Sequence, residues 1–351
     1  MRFLASILAF VLFLTFLYSC KKNYNQPDRD NSSNLQIVDG KYLADACGNK
    51  LLLRGVNMGS IYAVNFGIRE LDEIQKTGSN SVRIVLERQY KDYSNGGAIT
   101  DLSPVKLDLI LSTCLAKGMI PIVELHDFTG TGNIITDLPK ASQWWTKANI
   151  KEVILKYQKS LILNIANEPD NGNASANVYA SANLNAIQSL RTAGYTCPIM
   201  IDAPGWGKDH SFFINKGQSL MDADPLHSLI FSVHAYWPTN GANGNYSDAK
   251  ILANMNDLKG TGLPITIGEL AIADIQGGVT YNINYRLLMK LCQENEFGYL
   301  VWWWGFNSNP DANNQLSMTN DGLFTGLQGS AKVIASDDAN SIKNTSVKFC
   351  Q

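Results

Sequence analysis

Short apolar runs alternate with amphipathic helical stretches along one chain of 351 residues, and eight such runs predict an α/β fold: a single (β/α)8 barrel of the TIM type with a short N-terminal β-hairpin. Two further observations support this reading. The runs are dominated by Val, Ile and Leu, as strands buried on both faces are. The helical stretches are punctuated where helix ends need it, with Ser103-Pro104 at one start and Gly118 at its stop.

In order, residues 35–43 and 49–53 read as the hairpin and lead into a first strand near 51–56. A helix over 67–77 stops at Gly78, and strand two is 81–86. The helix opened by Ser103-Pro104 runs to Lys117, and strand three is 120–125. A helix around 142–158 leads to strand four, Leu161-Ile162-Leu163-Asn164-Ile165. Residues 175–193 are helical and close at Gly194, and strands five and six are 198–202 and 229–233. A helix over 248–258 precedes strand seven in Pro264-Ile265-Thr266-Ile267-Gly268, and one over 282–296 precedes strand eight at 299–303. Residues 329–336 carry only a short helical pattern ahead of a polar tail, and no second domain is visible.

The chain has 29 basic and 31 acidic residues, a formal charge of −2, and 45% hydrophobic residues. Without a basic block, nucleic acid is not an expected partner, and a neutral substrate fits better. Residues 1–19 place Arg2 ahead of a nearly unbroken apolar stretch that ends in Leu17-Tyr18-Ser19-Cys20. This is similar to a bacterial lipoprotein signal peptide cleaved before Cys20, which then carries lipid. The protein is thus expected to be exported and held at an outer membrane or cell surface, with a plain signal peptide or an uncleaved anchor as the alternatives. Residues 20–34 read as a flexible tether and 35–351 as the folded domain. Cys47, Cys114, Cys197, Cys292 and Cys350 are odd in number, widely spaced and free of C-x-x-C. They indicate neither zinc nor a dense disulfide framework, and any pairing stays open. Cys114 and Cys292 fall in helical stretches and read as small buried hydrophobes.

Barrel chemistry sits at the carboxyl ends of the strands, and the chemically capable residues fall there. Strand two holds Arg83, strand three ends in His126, and strand four is followed by Asn167-Glu168. Strand six ends in His234 and Tyr236, strand seven in Glu269, and strand eight carries Trp302. Two carboxylates on two core strands is an arrangement that breaks glycosidic bonds. Each residue also has a structural alternative. Arg83 also reads as a buried ion-pair partner, His126 as a core histidine bonded to Asp127, and Asn167 and Tyr236 as structural hydrogen-bonders. A metal site lacks H-x-H or H-E-x-x-H spacing, and no Gly-rich phosphate loop occurs. Alternation places Trp302 and Trp304 on one side of the last strand and Trp303 on the other. Trp206 and Trp237 follow strands five and six on the binding side, as sugar platforms or as packing, and residues 307–322 form a long polar loop.

Taken together, Arg83, His126, Asn167, Glu168, His234, Tyr236, Glu269 and Trp302 resemble the active-site signature of glycoside hydrolase family 5, the retaining (β/α)8 endo-glycanases, over residues 51–307. The resemblance implies Glu168 as acid/base and Glu269 as nucleophile. It also implies that Arg83 keeps Glu269 charged, Tyr236 bonds it and Asn167 holds a sugar 2-hydroxyl. His126, His234 and Trp302 then line the cleaving subsite. Within the family, Val82-Arg83-Ile84-Val85-Leu86, Glu124-Leu125-His126-Asp127-Phe128-Thr129-Gly130, Asn164-Ile165-Ala166-Asn167-Glu168, Asp202-Ala203-Pro204-Gly205-Trp206-Gly207 and Ala223-Asp224-Pro225-Leu226 look most like the bacterial β-mannanase branch. Pro169 and Trp304-Gly305 depart from that branch beside the cleft. The expected activity is cofactor-free endo-hydrolysis of a β-1,4-linked polysaccharide by a monomer, mannan first and β-glucan or cellulose second. A non-catalytic glycan-capture lipoprotein is the rival from another class.

Overall fold

The computed structural model describes residues 35–242, 244–305 and 316–350, so the signal segment, the tether with Cys20 and the first part of the 307–322 loop lie outside the described residues. The expected hairpin is present: β1 (Gln36–Val38) pairs antiparallel with β2 (Tyr42–Ala44). The first barrel strand, β3 (Arg54–Met58), lies further along than the expected 51–56. Leu51 and Leu53 instead pack beneath the barrel, with Leu35, Leu43 and Phe349. Then come α1 (Ile68–Gln75) and β4 (Ser81–Leu86). A hairpin of β5 (Gln89–Asp92) and β6 (Ala98–Asp101) was not expected, and its mostly exposed residues give no apolar alternation to read. Helix α2 (Pro104–Ala116) begins as predicted, with the Ser103 hydroxyl accepting from the Lys106 amide at 3.2 Å.

After β7 (Ile120–Leu125), the single helix expected over 142–158 is two, α3 (Ile134–Trp145) and α4 (Ala148–Tyr157). The Thr146 hydroxyl donates to the Ser142 and Gln143 carbonyls and ends α3, and Lys147 is extended. The next elements are β8 (Ile162–Asn164), α5 (Ala176–Thr192), β9 (Ile199–Asp202) and α6 (Ser211–Ala223). Helix α6 was not expected. Its interior Gly217 weakens the helical pattern, and a Cβ there would come within 2.4 Å of Leu263. Strand β10 (Leu229–His234), α7 (Asp248–Gly260) and β11 (Ile265–Ala271) follow, then a second unexpected hairpin, β12 (Ala273–Gln276) with β13 (Val279–Asn282). The chain continues through α8 (Tyr285–Glu294), β14 (Gly298–Trp302) and the short helices α9 (Gly329–Lys332) and α10 (Ile342–Thr345).

Eight parallel strands close in the order β3-β4-β7-β8-β9-β10-β11-β14, the predicted barrel. Its floor, at the strands' N-terminal ends, is apolar, with Ile120, Ile122, Ile162, Met200, Ile230 and Leu300 meeting the hairpin leucines and Phe349. A Cys47–Cys350 disulfide, 303 residues apart in sequence, fastens this end, while Cys114, Cys197 and Cys292 are buried free thiols. At the opposite end the register slips between Val233 and His234, so that His234 pairs with Glu269. Such a bulge re-aims side chains where a site needs them.

Candidate active site

Arg83 organises the mouth. Fully buried on β4, its guanidinium donates to Asn57 Oδ1 at 3.0 Å, Asn164 Oδ1 at 2.9 and 3.0 Å, Asn167 Oδ1 at 2.7 Å and Glu269 Oε1 at 3.1 Å. Asp202 lies 3.3 Å away and Glu124 3.8 Å. Burial works against the Arg83 charge, but Glu124, Asp202, Glu269 and Glu168 outweigh it and push its ionisation upward. Arg83 is both a buried ion-pair partner and a neighbour of Glu269, so its two sequence readings describe one residue.

Glu269 lies within the β11 span, and Glu168 follows β8 with a left-handed φ of 38°. Positive φ at a non-glycine residue is characteristic of functional turns. The Glu168 amide donates to Asp202 Oδ2 at 3.1 Å, which holds that turn. Glu168 Oε1 meets His234 Nδ1 at 2.6 Å, and the same nitrogen lies 3.5 Å from Glu269 Oε1. The Tyr236 hydroxyl donates to Glu269 Oε2 at 2.6 Å. One atom each from Glu168, His234 and Glu269 fall within 4.8 Å of one another. Two carboxyls this close match a retaining glycosidase, whose pair stands about 5–5.5 Å apart, and not an inverting one at about 6.5–9.5 Å.

Burial raises the Glu269 carboxyl, and Glu168 adds to the lift, while His234 and Arg83 oppose it. Burial disfavours a charged His234, but Glu269, Asp202 and Glu168 outweigh it and carry the imidazole up to about 10. Asp202 is driven well below the carboxylate range despite its burial, chiefly by His234 and Arg83. Glu168, His234 and Glu269 have donor chemistry suited to a cation, but in this structure His234 bonds Glu168 and Glu269 accepts from Arg83 and Tyr236.

His126 is bonded to Glu124 through Nδ1 at 2.9 Å, not to Asp127, which instead accepts from Arg88. Its ring stacks on Trp302 with centroids 5.8 Å apart and planes 10° apart. Burial opposes its charge and Glu124 raises it, for a net upward shift. The expected alternation of the tryptophans fails. Strand β14 ends at Trp302, the Trp302–Trp303 peptide is cis, and the two rings stack at 16° on the same side. Trp304 is fully buried, its indole donating to the Gly322 carbonyl at 3.1 Å. Trp237 is also buried, stacked on Tyr246, and is packing. Trp206 is 44% exposed beside the mouth.

The structure therefore gathers Arg83, Asn167, Glu168, His234, Tyr236 and Glu269 into one bonded cluster, with His126 and Trp302 stacked alongside. It adds Asn57, Glu124, Asn164 and Asp202, to which no role was given from sequence. The available signal was a polar or charged residue inside a strand buried throughout.

The family model described as Cellulase (glycosyl hydrolase family 5) matches residues 45–308. A mannan endo-1,4-beta-mannosidase of Cellvibrio japonicus is 33% identical over 316 residues, 89% of this chain and 68% of its own length. The catalytic domain of a mannanase from Streptomyces sp. SirexAA-E superposes with a TM-score of 0.76 at 29% identity, covering 93% of this chain and 96% of its own. A beta-mannanase from Streptomyces thermolilacinus, solved with mannohexaose, gives 0.75 at 26% identity over 90% and 97%. With the barrel and its paired carboxyls already in place, these matches establish that the chain belongs to glycosyl hydrolase family 5 and is a glycoside hydrolase.

Proposed function

We propose that this protein is a retaining endo-β-1,4-mannanase in which Glu269 is the nucleophile and Glu168 the acid/base. The observation that carries this reading is the Glu168–Glu269 gap of less than 4.8 Å between facing oxygens, with Arg83 and Tyr236 both donating to Glu269 and neither to Glu168. Arg83 and Tyr236 fix both oxygens of Glu269 and favour its charged form, which suits the nucleophile, and Glu168, held by His234, faces it as the acid/base. Glu269 attacks the anomeric carbon while Glu168 gives its proton to the departing glycosidic oxygen, leaving a glycosyl ester on Glu269. Glu168, now the base, takes a proton from water as that water attacks the same carbon, which frees the sugar and restores both carboxyls. Asn167 uses Oδ1 on Arg83 and one Nδ2 hydrogen on Thr129, which leaves its second amide hydrogen for a sugar 2-hydroxyl. His126 and Trp302 form a flat stacked wall for the sugar in the cleaving subsite. His234 bonds Glu168, and Trp206 offers a further aromatic face.

Mannan as the substrate rests on the curated mannosidases among the relatives, at 29–33% identity. One 33% identical relative is named beta-mannanase/endoglucanase A, which keeps glucan as the second polymer to assay. Reducing-sugar release from mannan, xyloglucan and carboxymethylcellulose tests the reading. Release from mannan that falls on the order of 10,000-fold in Glu269→Gln is expected. Release from glucan alone would replace the substrate, and release from none would favour glycan capture. We propose further that the protein is exported and lipid-anchored at Cys20, a reading supported by the apolar segment before it and by the Cys47–Cys350 disulfide, which suits an oxidising compartment. Cys20→Ser is expected to release the protein from the membrane fraction.

A further inference from the structure

We propose that Asp170 is a positioning residue that fixes Trp206 as the sugar platform on the leaving-group side of the cleft. The inference rests on the hydrolase reading above. Asp170 is fully buried directly after Glu168-Pro169, yet it touches neither catalytic carboxyl by any hydrogen bond among the described residues. Its side chain accepts three backbone amides: Gly172 at 2.8 Å, Ala174 at 3.1 Å and Gly205 at 3.1 Å. Its own carbonyl accepts the Trp206 amide at 2.8 Å. A carboxylate holding several amides makes a rigid charge-assisted joint, and this one locks the loop after β8 to the loop after β9.

Trp206 stands on that joint with a left-handed φ of 59°. Its ring edge lies over Gly130, where an added Cβ would come within 1.9 Å of the indole. Glycine there makes room for the ring. Gly130 in turn donates to the Glu168 carbonyl at 2.8 Å, and on the other side the His234 amide donates to the Gly207 carbonyl at 2.8 Å. The platform is thus tied on one flank to the backbone of Glu168 and on the other to His234, whose ring bonds Glu168. The acid protonates the leaving oxygen, so an aromatic face fastened to the acid's own turn serves the sugars that depart. A 44% exposed tryptophan held this firmly has lost its conformational freedom before substrate arrives, which favours stacking.

The test compares kcat/KM on mannan with kcat/KM on β-mannotriosyl fluoride, whose departing atom is too small to reach Trp206. Asp170→Asn and Asp170→Ser are each expected to lower the mannan-to-fluoride ratio about tenfold. Trp206→Ala should do the same, and the Asp170→Asn/Trp206→Ala pair should go no lower than Trp206→Ala alone. Gly130→Ala, which pushes the same ring without touching Asp170, should also lower the ratio. Equal losses on mannan and fluoride in the Asp170 variants, or additive losses in the double variant, overturn the positioning role. An unchanged ratio in Trp206→Ala or Gly130→Ala overturns the platform. A wild type inactive on both substrates would instead sink the mannanase reading, so the two failures are distinguishable.

Discussion

Two fully buried arginines stand on adjacent parallel strands, Arg54 on β3 and Arg83 on β4, and their surroundings are opposite. Arg54, near the floor, donates to the Leu53 and Phe297 carbonyls at 3.0 and 2.8 Å, to Gln293 Oε1 at 2.8 Å and to Thr345 Oγ1 at 2.9 Å. Its guanidinium lies 4.4 Å above the Tyr299 ring. Every partner is neutral, and burial presses its ionisation down. Arg83, nearer the mouth, is surrounded by the carboxyls of Glu124, Asp202, Glu269 and Glu168 and is pushed up. A guanidinium satisfied by neutral acceptors has no carboxylate among its hydrogen-bond partners. Four carboxyls face Arg83, His234 and His126, so the ionisable groups gather at the mouth. The floor is built to be inert and the mouth to be reactive.

Breaking the comparison at the mouth should have the largest effect. Arg83→Met is expected to cost on the order of 1,000-fold in kcat, and Arg83→Lys, which cannot span Asn164, Asn167 and Glu269 together, on the order of 100-fold. Steady-state kinetics on mannan checks both, and a variant within tenfold of wild type would contradict the role given to Arg83. At the floor the pattern should invert. Arg54→Met strands two carbonyls and two side chains, so it should lower unfolding free energy by about 3 kcal/mol while folded enzyme keeps its kcat. Denaturant titration alongside active-site counting separates those outcomes. Cys350→Ser should lower stability by about 2–4 kcal/mol, again without loss of turnover by the folded fraction.

A pH dependence is expected as well. His234 sits near 10 when folded, against about 6.5 for a free imidazole, so its contribution is complete below about 6.5 and is lost as pH rises through about 10. Urea titrations at pH 7 to 10 should show a declining stability that flattens in His234→Gln. Asp202 acts in the opposite sense, contributing above the ordinary carboxylate range and losing that contribution as the solution is acidified.

The same contrast explains what could be read from sequence. Strands β4 and β7 match expectation residue for residue, because Ser81–Leu86 and Ile120–Leu125 are mostly apolar runs that follow the helix stops at Gly78 and Gly118. Glu168 and Glu269 were visible as acids that terminate such runs. Glu124, Asn164 and Asp202 were not given roles, because what makes each one functional lies on another strand. The Arg83–Asp202 contact joins positions 119 residues apart, and no local pattern announces it. Helix α6 was hidden for a different reason, since Gly217 weakens the local preference, and what calls for a glycine there, the close approach of Leu263, lies far along the chain. The tryptophan run misled because alternation assumes a continuing strand, and β14 stops at Trp302.

The Cys47–Cys350 bond has a further consequence for how the molecule survives damage. It joins positions 303 residues apart, so nearly all of the chain forms a single covalent loop. A protease that cuts once anywhere between them, in an exposed hairpin such as β5–β6 for instance, opens that loop without releasing a fragment. The clipped enzyme would migrate as one species until reductant divides it, and cleavage at such a turn amounts to moving the chain's ends without dismantling the barrel.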